Sequence, residues 1–212
     1  FQTTAKHMLR SAHVALKAYS SPIALAACGR RRFSVLASPR KLNEIVKLEL
    51  LQNESSGKIL HIWMEYHEKK QNCTAGILSS AEYDVISFRG KRSPMFIHPV
   101  KRDQGHFIVV GQFRGQTAFV THLDDYNKNP QAADPQLTIS IHDDLVKSKD
   151  IALVRADFDP ARLKKEEVTT LIKDVFHIYC DTAQYKQVET LNSRPASFDW
   201  QAFIQSRLAA SA

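Results

Sequence analysis

The first 43 residues of this 212-residue chain contain no Asp or Glu, although 22 acidic residues follow from Glu44 onward. So long a stretch without acid excludes an ordinary charge-balanced surface helix there. Cysteine is also scarce: Cys28, Cys73 and Cys180 stand far apart with no C-x-x-C spacing, which removes support for a zinc ribbon or a thioredoxin-like centre. Only seven glycines occur, and none forms a phosphate-binding loop, a dinucleotide fingerprint or a G-x-S-x-G elbow. No run of about 20 apolar residues exists, so no transmembrane helix is expected.

The acid-free segment itself is rich in Ala, Ser and Arg. It holds eight cations, Lys6, Arg10, Lys17, Arg30, Arg31, Arg32, Arg40 and Lys41, against a net charge of +7 for the whole chain. Residues 44–212 therefore balance 21 Lys and Arg with 22 Asp and Glu. On a helix, Lys6, Arg10, His13 and Lys17 share one stripe, opposite Met8, Ala12, Ala15, Leu16 and Tyr19. A basic amphipathic helix without acid is the pattern of a mitochondrial transit peptide. The inside-negative membrane potential pulls such charge inward, with roughly 2.3 kcal/mol per charge per 100 mV. Arg31-Arg32-Phe33-Ser34 reads as a processing site that leaves Ser34 first. The expected organisation is a transit peptide over 1–33, engaging the import machinery, a short flexible segment over 34–41, and one domain over 42–209 in the matrix.

Downstream, the periodicity predicts a strongly apolar helix over 42–51. A second helix follows, with Ile59, Ile62, Trp63 and Tyr66 on one buried stripe. The capping pair Ser79 and Glu82 opens a third. Five strands are expected at 95–100, 107–113, 117–123, 137–142 and 151–158, with an antiparallel hairpin turning at Arg114-Gly115-Gln116. Pro99 suits an edge strand. Residues 127–135 read as a loop. Asp159-Pro160 reads as the start of a helix, a further helix spans about 182–192, and Ser197 caps a last one carrying Trp200, Phe203, Ile204 and Leu208. Helices, strands and helices again give an α+β fold, a mainly antiparallel central sheet of about five strands flanked by N- and C-terminal helices.

Three groups of residues are candidates for chemistry. His122 with Asp124 and Asp125, and His142 with Asp143 and Asp144, offer the nitrogen and oxygen donors of a divalent metal site, and so a metal-dependent matrix enzyme, provided the two clusters meet. Asp in turns at strand ends explains them equally well. Arg89, Lys91, Arg92, Lys101 and Arg102 bracket the first expected strand and raise RNA binding, which the near-neutral balance of 44–212 disfavours. His61 and His67 fall on different helix faces and read as solvated or half-buried. The hairpin is apolar on both faces, expected as Phe107, Val109, Phe113, Phe119 and Leu123 on one and Ile108, Val110, Ala118 and Val120 on the other. A sheet covered on one face only would leave the other for a partner.

Ile62-Trp63-x-x-Tyr66, Pro94-x-Phe96, Gly105-x-Phe107, Gly111-Gln112-Phe113-x-Gly115 and Phe119-x-Thr121-x-Leu123 occur in that order. Tyr185, Glu189-Thr190-Leu191-Asn192-x-Arg194-Pro195 and Phe198 follow. The set, spread over about residues 42–205, resembles the ATP synthase F1 complex assembly factor 1 family, mitochondrial chaperones of the catalytic β subunit. One departure is that the first helix follows the leader at once, without the longer charged stretch of other members. The resemblance implies a matrix protein with no catalytic residues, metal or cofactor and no nucleic-acid partner or stable membrane insertion. It would hold the unassembled β subunit of the F1-ATPase until an α subunit displaces it. Apart from the resemblance, the residues chosen here for that contact are Leu48 and Leu51 of the first helix and Phe113 and Phe119 of the hairpin.

Overall fold

The computed structural model describes residues 39–130 and 133–210, and the expected leader, Cys28 and residues 34–38 lie outside them. Its centre is an antiparallel sheet of β1 (Cys73–Ser79), β2 (Met95–Arg102), β3 (Gly105–Arg114), β4 (Thr117–His122), β5 (Leu137–His142) and β6 (Ile151–Phe158). Across the sheet the order is β1-β6-β5-β4-β3-β2, with every pair antiparallel. The fold is α+β, with six strands where five were expected. The missed strand, Cys-Thr-Ala-Gly-Ile-Leu-Ser, has small residues on both faces and little alternation to reveal it. Pro99 does lie on an edge strand.

Among the described residues eight helices accompany the sheet: α1 (Leu48–Gln52), α2 (Ser56–Glu68), α3 (Ser80–Arg92), α4 (Leu123–Lys128), α5 (Val146–Lys149), α6 (Lys165–Cys180), α7 (Thr182–Ser193) and α8 (Trp200–Ala210). The apolar run at 42–51 is not one helix but a 3-10 turn at Leu42–Glu44 followed by α1. Ser79 and Glu82 do form a capping box at α3, so a single serine ends β1 and starts the helix. Asp159 caps only a turn, its carboxylate accepting from the Ala161 N–H. Helix α6 begins later, where Glu167 reaches back to the Lys164 N–H. Asp199, not Ser197, caps α8, accepting from the Ala202 N–H. Part of the expected 127–135 loop, at Asn127 and Lys128, is helical in α4.

Side chains at Leu137, Ile139, Ala118, Val120, Val109, Phe113, Val154 and Phe158 form one sheet face. It packs on Ile86 of α3, on Val168, Leu171, Ile172, Val175 and Tyr179 of α6, and on Tyr185 and Val188 of α7. The opposite face is covered in two separate places. At the β2 and β3 end, Met95, Ile97 and Val110 meet Leu123, Tyr126, Phe203 and Ile204. At the β1 and β6 end, Leu153, Ala75 and Ile77 meet Leu42, Leu51, Ile59 and Trp63. Both faces thus have helical cover, the second in two blocks.

The hairpin register corrects the expected faces. Strands β3 and β4 are joined by Gly115 and Gln116 alone, Gly115 adopting φ 63°, and Phe113 lies opposite Ala118 while Gln112 lies opposite Phe119. A two-residue loop pairs odd positions with even ones. Phe113, Ala118 and Val120 therefore share one face, and Phe119 projects from the other with Ile108 and Val110.

Candidate docking surface

Helix α2 starts on Ser55, whose Oγ accepts from the Lys58 N–H. It is then tied to its neighbours at both ends and in the middle. Ser56 Oγ donates to the Lys149 carbonyl at 2.9 Å, Trp63 Nε1 donates to the Val154 carbonyl at 3.1 Å, and Lys165 Nζ donates to the carbonyls of His67, Glu68 and Lys70 at its C-terminus. A cation on those last carbonyls satisfies groups that the helix itself cannot.

Beneath the helix lies a buried polar network. His67 Nδ1–H donates to the Trp63 carbonyl at 2.8 Å, and Nε2 accepts from Arg155 Nη1 at 3.2 Å. Arg155 in turn forks onto Asp157. Burial is the main cause that holds His67 neutral, pulling its pKa from 6.5 to about 4, and the Arg155 charge adds to it. The half-buried reading of His67 is corrected accordingly: its side chain is enclosed. The same network places Asp157 against Arg155.

The buried stripe of α2 is Ile59, Trp63 and His67, four residues apart, so the expected stripe through Ile62 and Tyr66 is corrected. Those two are exposed, with Leu60 and Met64 on the other flank. Five of the six exposed large apolar residues among those described belong to α1 and α2: Leu50 at 62% exposure, Leu60 at 44%, Met64 at 42%, Ile62 and Tyr66. The sixth, Phe88, is on α3. Anchored by hydrogen bonds, α2 is still apolar on its flanks.

Of the four residues chosen from the sequence, Leu51 and Phe113 are interior. Leu51 packs with Leu42 and Trp63, and Phe113 lies among Phe96 and Tyr179. Leu48 is half-buried beside the Leu51 cluster, and Phe119 is half-buried on the other face of the hairpin from Phe113. They form no common patch. The accessible apolar residues beside them are Leu50, Leu60 and Met64. An excess of leucines over one stripe signalled α1 and α2, but the sequence did not show which leucine turns outward.

The metal and RNA candidates are also separated or engaged. His122 and His142 lie at opposite ends of adjacent antiparallel strands, about 23 Å apart by strand rise, and their side chains leave opposite faces. His122 stacks on Phe107 at 4.4 Å, and His142 lies edge-on to Trp63 at 6.2 Å. Burial lowers both imidazole pKa values. Among the basic residues, Arg89 closes the C-terminus of α6 through the Tyr179 and Cys180 carbonyls. Arg102 forks onto Glu167, and Arg92 pairs with Glu189 at 3.2 Å. Cys73 is buried and its thiol pKa raised, chiefly by that burial. Among the described residues no helix is long and apolar enough to cross a membrane.

The profile of the family described as ATP11 protein matches residues 17–204. This chain belongs to the ATP11 family. Its relatives include proteins named ATP synthase mitochondrial F1 complex assembly factor 1: 30% identical in Danio rerio, 27% in Homo sapiens and 26% in Mus musculus, each over 78% of this chain. The match covers 55% of the zebrafish protein and 51% of the other two, so the chain spans about half the length of these relatives. The ATP11 profile begins at residue 17, inside the stretch read above as a leader.

Many of the motif residues turn out to be architecture. Trp63, Phe96, Gly111, Phe113, Leu123, Tyr185, Leu191 and Phe198 are enclosed. Asn192 accepts from the Met95 N–H at 2.9 Å and donates to the Met95 carbonyl at 2.7 Å, imitating a neighbouring strand. The Tyr179 hydroxyl donates to the Ser93 carbonyl, and the Ser93 and Tyr185 hydroxyls share a hydrogen bond. Of the same motif residues, Ile62 and Tyr66 stay exposed on the flank of α2.

Proposed function

We propose that this ATP11 family chain is a non-catalytic chaperone of F1 assembly in the mitochondrial matrix. It binds the unassembled β subunit of the F1-ATPase, prevents its aggregation, and yields it to an α subunit. The observation that carries the reading is the family match over residues 17–204 together with relatives named as mitochondrial F1 complex assembly factors. Two features support it. The acid-free basic segment over 1–33 has the composition of a matrix presequence. The apolar flanks of α2 suit a transient contact, which must bind an exposed interface well enough to block self-association and more weakly than the final subunit does.

The test is aggregation of isolated F1 β subunit, followed by light scattering with and without the purified chain and without nucleotide. Suppression at near-equal molar ratio, reversed by added α subunit, is expected. Suppression with α as the client and none with β would assign the chain to the other subunit. N-terminal sequencing of the protein recovered from mitochondria tests the leader, with Ser34 as the expected first residue.

A further inference from the structure

The two edges of the sheet are treated differently. On β2 the Pro94 carbonyl accepts from the Phe113 N–H at 2.9 Å, so even positions of that strand face β3 and odd ones face outward. The outward groups of Met95 are taken by Asn192, and the next but one, Pro99, has no N–H to offer. Lys101 and Arg102 close the strand. Proline, charge and a side-chain plug are the usual defences of an edge.

Strand β1 has no proline and no charge, and a side chain holds only its last N–H. The Asn72 carbonyl accepts from the Phe158 N–H at 3.0 Å, and the Ser80 N–H donates to the Asp150 carbonyl at 3.1 Å. Even positions therefore face β6, and Cys73, Ala75, Ile77 and Ser79 point their backbone groups outward. The Ser79 N–H is held by Glu82 at 2.8 Å, and Cys73 is buried. Ala75 and Ile77 remain, each half-buried, and their outward sides make no backbone bond to any other described residue. The seven residues carry no charge and no proline.

What stands beside this edge is apolar. Helix α2 runs with β6, from the contact at Lys149, past Val154, to Arg155. With Ile59, Trp63 and His67 facing the sheet, the right-handed turn of α2 and the L-configuration of the strands put Leu60 and Met64 on the β1 side. Ile62 and Tyr66 then face β5. An open strand of uncharged residues thus lies under two exposed apolar side chains of a fixed helix.

We propose that this edge is where the chain takes hold of its client. An extended, uncharged apolar segment of the unassembled subunit adds as a seventh strand, bonded through its main chain to Ala75 and Ile77, with alternate side chains against Leu60 and Met64. Strand addition draws affinity from the backbone and specificity from alternate side chains, which fits a chaperone that needs only an exposed apolar stretch. The inference rests on the chaperone reading above and adds its site.

Hydrogen exchange of the full chain with isolated F1 β subunit tests it. The Ala75 and Ile77 amides are expected to slow about tenfold or more on binding, while amides on the β6 side of β1 change little. Ala75→Pro removes an outward N–H and leaves the β1 to β6 ladder whole, and it should weaken capture about tenfold with an unchanged melt. If the β subunit binds and neither amide slows, the edge is wrong and the chaperone reading stands. If the β subunit does not bind at all, both fall. Amides already slow in the free chain at every concentration assign the edge to the chain's own residues. Slowing that grows with chain concentration alone assigns it to a second copy. Either result overturns the proposal.

Discussion

Gly111 shows how much one missing methyl can fix. A Cβ at that position would lie 2.1 Å from Phe96 Cζ, because the ring of Phe96 crosses directly over the backbone of its paired residue on β3. Gly111→Ala must displace that ring from its contacts with Phe113 and Tyr179. A loss of about 1–3 kcal/mol is expected in urea unfolding, the usual cost of overpacking, and Phe96→Leu in the same chain should return part of it. His67 makes a second prediction, in acid. Its folded pKa, about 4, lies below the ordinary 6.5, so the unfolded chain binds the proton first. Its stabilising effect is complete above about pH 6.5 and is lost as pH falls toward 4, to a limit of about 3 kcal/mol. His98, His122 and His142 shift the same way, chiefly through burial, and steepen the fall. In His67→Gln, stability measured from pH 7 to 4 should decline with a visibly smaller slope.

At the scale of elements, Asn192 joins α7 to the start of β2 by two bonds to one residue. Asn192→Ala leaves the outward N–H and carbonyl of Met95 without that partner. About 1–3 kcal/mol should go, and exchange at the Met95 amide should quicken before that at Val110, which is bonded deeper in the sheet. This clamp was invisible in the sequence, where Asn192 sat inside a recognisable motif with no stated task. What was legible follows from periodicity. Val168, Leu171, Ile172, Val175 and Tyr179 recur at helical spacing in α6, and apolar residues mark β2 to β6. What was not legible depends on counting residues between elements. One residue more in the Gly115-Gln116 loop would have put Phe113 and Phe119 on the same face as expected. Antiparallel pairing of β4 and β5 already implied that His122 and His142 end far apart. The surface was harder still: α2 has apolar residues on three sides, and only its packing on β6 and Lys149 decides which side stays outside.

For the whole molecule, the leucines that stand exposed and the leucines that fill the interior are different residues. Residues 44–212 are nearly neutral, and Arg89, Arg92 and Arg102 are engaged within the chain. Capture of a client by this part should therefore depend on exposed apolar area and little on salt. Leu60→Asp and Met64→Asp alter residues that stand in water in the free chain, so the melting temperature should move little. Capture of isolated β subunit, measured by pull-down, should fall about tenfold or more, since a carboxylate desolvated in an apolar contact costs at least that much. Leu51→Asp and Phe113→Asp place the same charge in the interior and should abolish the cooperative melt itself. Arg92→Ala with Lys101→Ala should change neither reading. A double variant Leu60→Asp, Met64→Asp that melts normally and still captures the β subunit at full strength would show that α2 is not the surface. The same capture falling a thousandfold between about 50 and 200 mM salt, as contacts to several phosphates do, would return the basic residues to the centre of the argument.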